Sequence, residues 1–184
     1  MNTATQSTTV QRKNLLVAVT GESPAVVTET VFGLYKERNI LIDHIVVITT
    51  TRGADQARLQ LLVGDEGKPR PLDQLCRDFQ LPPIRFSEQD ILIVPGENGL
   101  DVDDARSEGD QRALADFITR TVRKFTEDSQ VRVIASLAGG RKTMTFFWAM
   151  RCRCSAVLTT CSRTCWSASL TSWSEGFITP RRIR

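Results

Sequence analysis

The sequence predicts an α/β domain built on a three-layer, mostly parallel sheet, and three observations lead there. Short apolar runs alternate along the chain with stretches whose apolar residues recur at helical spacing. Leu15 to Val19 is continuously apolar, the pattern of a parallel strand covered on both faces. Two of the runs pass straight into a short polar loop that opens a helix: LLVAV-TGESP (Leu15 to Pro24) and VRVIA-SLAGGRKT (Val131 to Thr143). In such a sheet, loops at the carboxyl ends of the strands line the ligand crevice, and helix N-termini present free N–H groups to anions. Both loops can therefore face one phosphate-bearing ligand.

Each element has its own justification. Leu15 to Val19 is the first buried strand, and Ser23-Pro24 supplies an N-cap followed by proline at the first helical position. The helix from Pro24 to about Arg38 places Val27, Val31 and Leu34 on one face. Ile45 to Thr50 is the second strand, and Ala54 to Val63 a helix with Ala57, Leu61 and Leu62 inward. Gly64 to Pro71 is a turn-rich break before a short amphipathic helix marked by Leu72, Leu75, Cys76 and Phe79. Ile91 to Val94 is the third strand, closed by Pro95-Gly96. An acidic loop, Asp101 to Asp110, leads into a helix using Leu114, Phe117, Ile118, Val122 and Phe125. Val131 to Ala135 is the fourth strand, and Arg141 to Met150 opens a last helix.

A chain of 184 residues is long enough for one domain with a real core. Residues 1–13 read as a disordered leader, 14–150 as the domain and 151–184 as an aberrant tail. No apolar run reaches membrane-spanning length and the leader has no apolar signal region, so no membrane partner and a cytoplasmic location are expected. The formal charge is +3, but its distribution is uneven. After Met150 six arginines stand against one acid, Glu175, a local +5 that leaves the first 150 residues at −2. The basic balance thus belongs to the tail and argues poorly for a nucleic-acid-binding face; no DNA partner is expected.

The tail also concentrates cysteine: Cys152, Cys154, Cys161 and Cys165 crowd one stretch, while Cys76 stands alone. Structural zinc sites usually pair two knuckles across a longer loop, so no metal is expected. From Arg151 onward there is no lysine and no sustained period of two or 3.6, so the tail should be irregular or disordered. A frameshift would account for this, and codons can be chosen that are compatible with one. Back-translated with GC-rich codons and with one G restored after Met150, the tail reads MAVSLFGRP and can continue DDVLSHVLVSE, a helix end, turn and strand. Without that ending, Phe146, Phe147 and Trp148 should be more exposed than in an intact relative. Resequencing that finds no lost base near codon 151 would dispose of the idea.

In the second loop, Gly139-Gly140 permits close backbone approach, and Arg141-Lys142 sets two cations where the helix dipole repels them. An anion between them would relieve that; a tight turn with two solvated bases is the plainer alternative. It is not a Walker A loop, because Arg141 separates Gly140 from Lys142 and the upstream glycine is missing. In the first loop Thr20, Glu22 and Ser23 offer oxygens and Gly21 a sharp turn, while Ser23 before Pro24 would serve equally as a helix cap. The sole histidine, His44, precedes a buried strand and reads as structural. Asp103-Asp104 reads as part of a solvated loop rather than a metal site.

With TGESP-AVVTETV after the first strand, VVITT at the second and SLAGGRKTM after the last, the chain resembles CRISPR-associated Rossmann-fold (CARF) proteins. Within them it resembles the stand-alone ring nucleases of type III CRISPR systems. The resemblance runs from about Leu15 to Met150, and DDARSEGD (Asp103 to Asp110) is similar to that family's acidic D-x-R segment, which brings in Arg106.

The resemblance implies a Rossmann-like fold and a homodimer that binds cyclic oligoadenylate, usually the four-membered ring, across its two-fold axis. It implies cleavage without a metal or other cofactor, to linear di-adenylates ending in a 2′,3′-cyclic phosphate, which switches off the signal. Ser23 matches the family's loop serine and Lys142 the lysine of the glycine-rich loop, the two catalytic positions. Gly139, Gly140 and Arg141 would cradle phosphates, and Thr20, Gly21, Pro24, Thr50, Arg106, Ser136 and Thr143 would complete the ligand-binding set. The rivals are a CARF sensor that holds the ring without cutting it and an inactive truncated relative. A generic nucleotide-binding Rossmann protein is disfavoured because no G-x-G-x-x-G follows the first strand.

Overall fold

The computed structural model describes residues 12–63, 68–104, 107–136 and 139, and the backbone of 157–158. Five parallel strands lie in the order β3-β2-β1-β4-β5: β1 Lys13–Val19, β2 His44–Thr49, β3 Ile91–Ile93, β4 Val131–Ser136 and β5 Val157–Leu158. Helices α1 (Ala25–Arg38), α2 (Thr51–Ala57), α3 (Pro71–Asp78) and α4 (Glu108–Thr126) fill the crossovers, and α2 widens into a π-helical stretch over Arg58–Val63. This is the parallel α/β architecture that the alternating pattern predicts, and the Rossmann-like fold that the resemblance implies.

The continuous apolar runs are explained by two separate cores. On β1, Leu15, Val17 and Val19 face α4 and pack with Leu114, Ile118 and Val122, whereas Leu16 and Ala18 face the opposite layer. There they meet Val27, Val31 and Leu34 of α1, Ala54 and Ala57 of α2, and Leu72 of α3. Successive strand residues point to opposite faces, so a strand covered on both must be apolar throughout.

Several boundaries differ from expectation, each for a local reason. Ser23 is not the cap of α1: Pro24 holds that position in helical geometry (φ −76°, ψ −8°) and no side chain caps the helix. The Pro24 carbonyl accepts from Val27 N at 2.9 Å, so the backbone closes the first turn and Ser23 is left exposed. Helix α2 starts at Thr51 rather than Ala54, because extended Thr50 turns the chain and its carbonyl accepts from Ala54 N at 2.8 Å. Asp110 belongs to α4, not to the acidic loop, since Ser107 is the cap and its hydroxyl accepts from Asp110 N. In the tail, Val157 and Leu158 depart from the irregular path expected there, pairing with Ile134 and Ala135. The helix expected from Arg141 to Met150, the exposure of Phe146, Phe147 and Trp148, and the four tail cysteines lie outside the described residues.

His44 is structural in this arrangement. It donates from Nε2 to Asp90 Oδ1 at 2.6 Å, at the amino end of β2, while Asp90 Oδ2 accepts from Ser87 N at 2.8 Å and from Ser87 Oγ at 2.7 Å. Burial works to raise the Asp90 pKa, but the hydrogen bonds from Ser87 and His44 outweigh it and hold the carboxyl below its ordinary value. An Asp90→Ala variant, which strands three donors, is expected to lose about 1–3 kcal/mol at neutral pH. Because the folded pKa is depressed, the carboxylate's contribution is complete above the ordinary carboxylate range. It disappears as pH falls through the lowered folded value. Melting curves of wild type and variant should therefore converge in acid; a gap that persists at low pH would contradict this assignment.

Candidate ligand crevice at the carboxyl ends of the strands

The strand order places the crevice. From β1 the chain builds outward through β2 and β3, then crosses to the other side of β1 to lay down β4 and β5. The order reverses between β1 and β4, and the loops leaving their carboxyl ends must diverge there. Those are the two loops singled out in the sequence.

Glycine brings them together. A Cβ built on Gly139 would lie 2.9 Å from the Val19 carbonyl oxygen, 3.0 Å from Val26 Cγ1 and 3.4 Å from Thr20 Cα, so the loop after β4 sits directly on the end of β1. Ser136 is almost fully buried, and its hydroxyl pairs with Thr30 Oγ1 of α1 at 3.3 Å. Thr20 is fully buried; its N–H donates to Ile48 O and its carbonyl accepts from Thr49 Oγ1 at 2.9 Å. The Thr20 hydroxyl has no hydrogen-bond partner among the described residues. Gly21 is half-buried, Pro24 buried, and Glu22 and Ser23 reach solvent. The Ser23 hydroxyl is uncommitted among the described residues, as a group that meets a ligand needs to be.

A third loop, after β2, joins this wall. Thr50 lies at its bend and is 9% exposed. A Cβ on Gly53 would fall 1.9 Å from Thr49 Oγ1 and 2.8 Å from the Gly21 carbonyl oxygen, so the first turn of α2 presses on the loop after β1. Thr49, Thr51 and Gly53 were not singled out from the sequence. The signal was the run TTTRG at the end of a buried strand, and its meaning depends on which strands are neighbours.

The segment between β3 and α4 folds beside that loop. Val94 N donates to Thr49 O, Gly96 N to Leu100 O and Thr51 N to Val102 O, which fastens a small hairpin to the carboxyl end of β2. Its base is tied to α4 through Asp110, which accepts from Glu97 N at 3.1 Å. The Ser107 hydroxyl first, and then the Glu97 N–H, hold the Asp110 carboxyl below its ordinary range. Asp110 therefore fixes the hairpin. Among the described residues no group of three or more His, Cys, Asp or Glu could hold a metal ion. No helix there is long and apolar enough to cross a membrane. Arg106, Gly140, Arg141, Lys142 and Thr143 lie outside the described residues.

A family model described as CRISPR-associated protein NE0113 (Cas_NE0113) matches residues 23–153, more than half of the chain. The chain belongs to this CRISPR-associated family. The match opens at Ser23 in the first loop, takes in the whole of the second and ends just beyond Met150. Among solved structures, the NE0113-family chain is similar to "Enterococcus italicus Csm6 bound to cyclic hexa-2'-fluoro-hexa-dAMP", at 11% identity and a TM-score of 0.46. That likeness covers 83% of this chain and 34% of the other, so the chain spans about a third of that protein's length. No curated protein matches the sequence.

Proposed function

We propose that this NE0113-family protein binds a cyclic oligoadenylate, the four-membered ring in the first instance, in the crevice between the loops after β1 and β4. It opens that ring and so ends a type III CRISPR signal. The observation that carries the reading is the seating of Gly139 on Val19 and Thr20, which joins the two motif loops into one wall. Family membership supplies the CRISPR-associated setting. A cyclic tetranucleotide has two-fold symmetry, so two copies of the chain can meet it through one isologous set of loops, and a homodimer follows from the proposal.

The substrate brings its own nucleophile. A ribose 2′-OH attacks the neighbouring phosphorus in line; the P–O2′ bond forms, the P–O5′ bond breaks, and the 5′ oxygen takes up a proton as the 2′-OH loses one. Repeated on the opposite side, this gives two linear di-adenylates with 2′,3′-cyclic phosphates. What the protein must add is geometry and positive charge for the developing phosphorane. Ser23 would orient the ribose and phosphate from its exposed position. Lys142 would stabilise the charge that grows in the transition state, while Gly139, Gly140 and Arg141 cradle the phosphates. Thr20, Gly21, Pro24, Thr50, Arg106, Ser136 and Thr143 would shape the surrounding wall, with Ser136 acting through Thr30 and α1.

Incubation with cyclic tetra-adenylate in EDTA is expected to yield linear di-adenylate. A ring that is bound but recovered intact would overturn the nuclease reading in favour of a sensor.

A further inference from the structure

The turn after β2 carries two groups that no interaction within the described protein explains. Thr51 Oγ1 is buried and has no hydrogen-bond partner among the described residues, although the Thr51 N–H is anchored on Val102 O at 3.1 Å. Its neighbour Thr49, two residues earlier, uses its hydroxyl fully on the Thr20 carbonyl. Arg52, next in the chain, is exposed and enters no ion pair or hydrogen bond among the described residues, which leaves its guanidinium available to a ligand. The position of this turn is not incidental. β1 and β2 are adjacent with Val19 opposite Ile48, and Gly53 lets the turn press against the Gly21 carbonyl. Across that contact lies the fully buried Thr20, whose hydroxyl is also without a partner among the described residues. Buried hydroxyls are normally satisfied, and two orphans at the carboxyl ends of neighbouring strands mark a wall built for a hydrogen-bonding ligand.

We propose that Thr51-Arg52 is a third ligand-contacting element of the crevice, its hydroxyl and guanidinium engaging a phosphodiester of the bound ring. The proposal rests on the cyclic oligoadenylate reading above. An anionic phosphate oxygen suits both groups, since it accepts from a hydroxyl and pairs with a guanidinium. It would also give the hydroxyl a role: a partnerless buried hydroxyl destabilises the free protein, and a methyl group in its place would not.

The test uses the full chain and cyclic tetra-adenylate, with melting temperatures of the ligand-free proteins and equilibrium titrations at two salt concentrations. Thr51→Val is expected to melt at or above the wild-type temperature yet bind about tenfold or more weakly, the scale of one lost hydrogen bond to a charged group. Thr51→Ser should keep most of the affinity. Arg52→Ala should bind more weakly and show a log–log salt dependence shallower by about 0.7, as for one lost phosphate contact on a single strand. A Thr51→Val protein that melts lower than wild type and binds equally well would overturn the proposal by making the hydroxyl structural. Wild type that binds while both variants match it would overturn this assignment alone. Wild type that fails to bind the ring would overturn the functional reading and the assignment together.

Discussion

Lys142→Ala is expected to slow ring opening by about 10²-fold or more, the scale for removing one preorganised charge-stabilising group, while weakening binding much less. The asymmetry follows from where charge appears. In the bound ring each phosphodiester carries one negative charge that the loop backbone and Arg141 can meet, and attack by the 2′ oxygen concentrates more on the same equatorial oxygens. A cation at 142 gains most at that moment, so its loss should fall on turnover rather than affinity. The same argument predicts no stability penalty in the free protein, because a lysine in the first turn of the helix expected from Arg141 is opposed by the helix dipole. Single-turnover rates with saturating protein separate the two effects. An unchanged rate would remove Lys142 from the mechanism.

Gly53→Ala should show the largest structural effect. The new Cβ would lie 1.9 Å from Thr49 Oγ1 and 2.8 Å from the Gly21 carbonyl oxygen. Thr49 can rotate away only by giving up its hydrogen bond to Thr20 O, worth about 1 kcal/mol, and the Gly21 oxygen is backbone that moves only with its loop. Overpacking of this kind costs about 1–3 kcal/mol. Alanine returns at most about 1 kcal/mol in helix propensity, the interior value being an upper bound for a residue in the first turn. Sterics win, with a net loss of about 1–3 kcal/mol and a melting temperature lower by several degrees. Because the displaced loop carries Thr20 and Ser23, ring affinity should fall as well. A variant that melts and binds like wild type would show that the turn after β2 does not press on the first loop.

The parts of the fold that sequence revealed were those governed by burial. Leu15 to Val19 and Val131 to Ala135 could be read as parallel strands because both their faces are covered, and the stripe of Val27, Val31 and Leu34 because one helix face alone is buried. What escaped was decided by backbone or by neighbours distant in sequence. Ser-Pro looks the same whether serine caps the helix or proline does, and only the geometry at Pro24 distinguishes them. Thr51 and Gly53 are poor helix formers, so α2 starts early because of tertiary contacts rather than propensity. β5 is two residues inside a stretch without periodicity, legible only through its pairing with Ile134 and Ala135. The crevice divides in the same way. Glycines and polar residues at strand ends announced the loops after β1 and β4, but the third wall formed by Thr51 to Gly53 needed the strand order to be seen.

An equilibrium titration of the wild-type chain with labelled cyclic tetra-adenylate, with linear tetra-adenylate as competitor, tests the central claim most directly. Saturable binding of one ring per two chains, poorly displaced by the linear form, is the predicted result. No saturable binding, or equal displacement by the linear form, would contradict it.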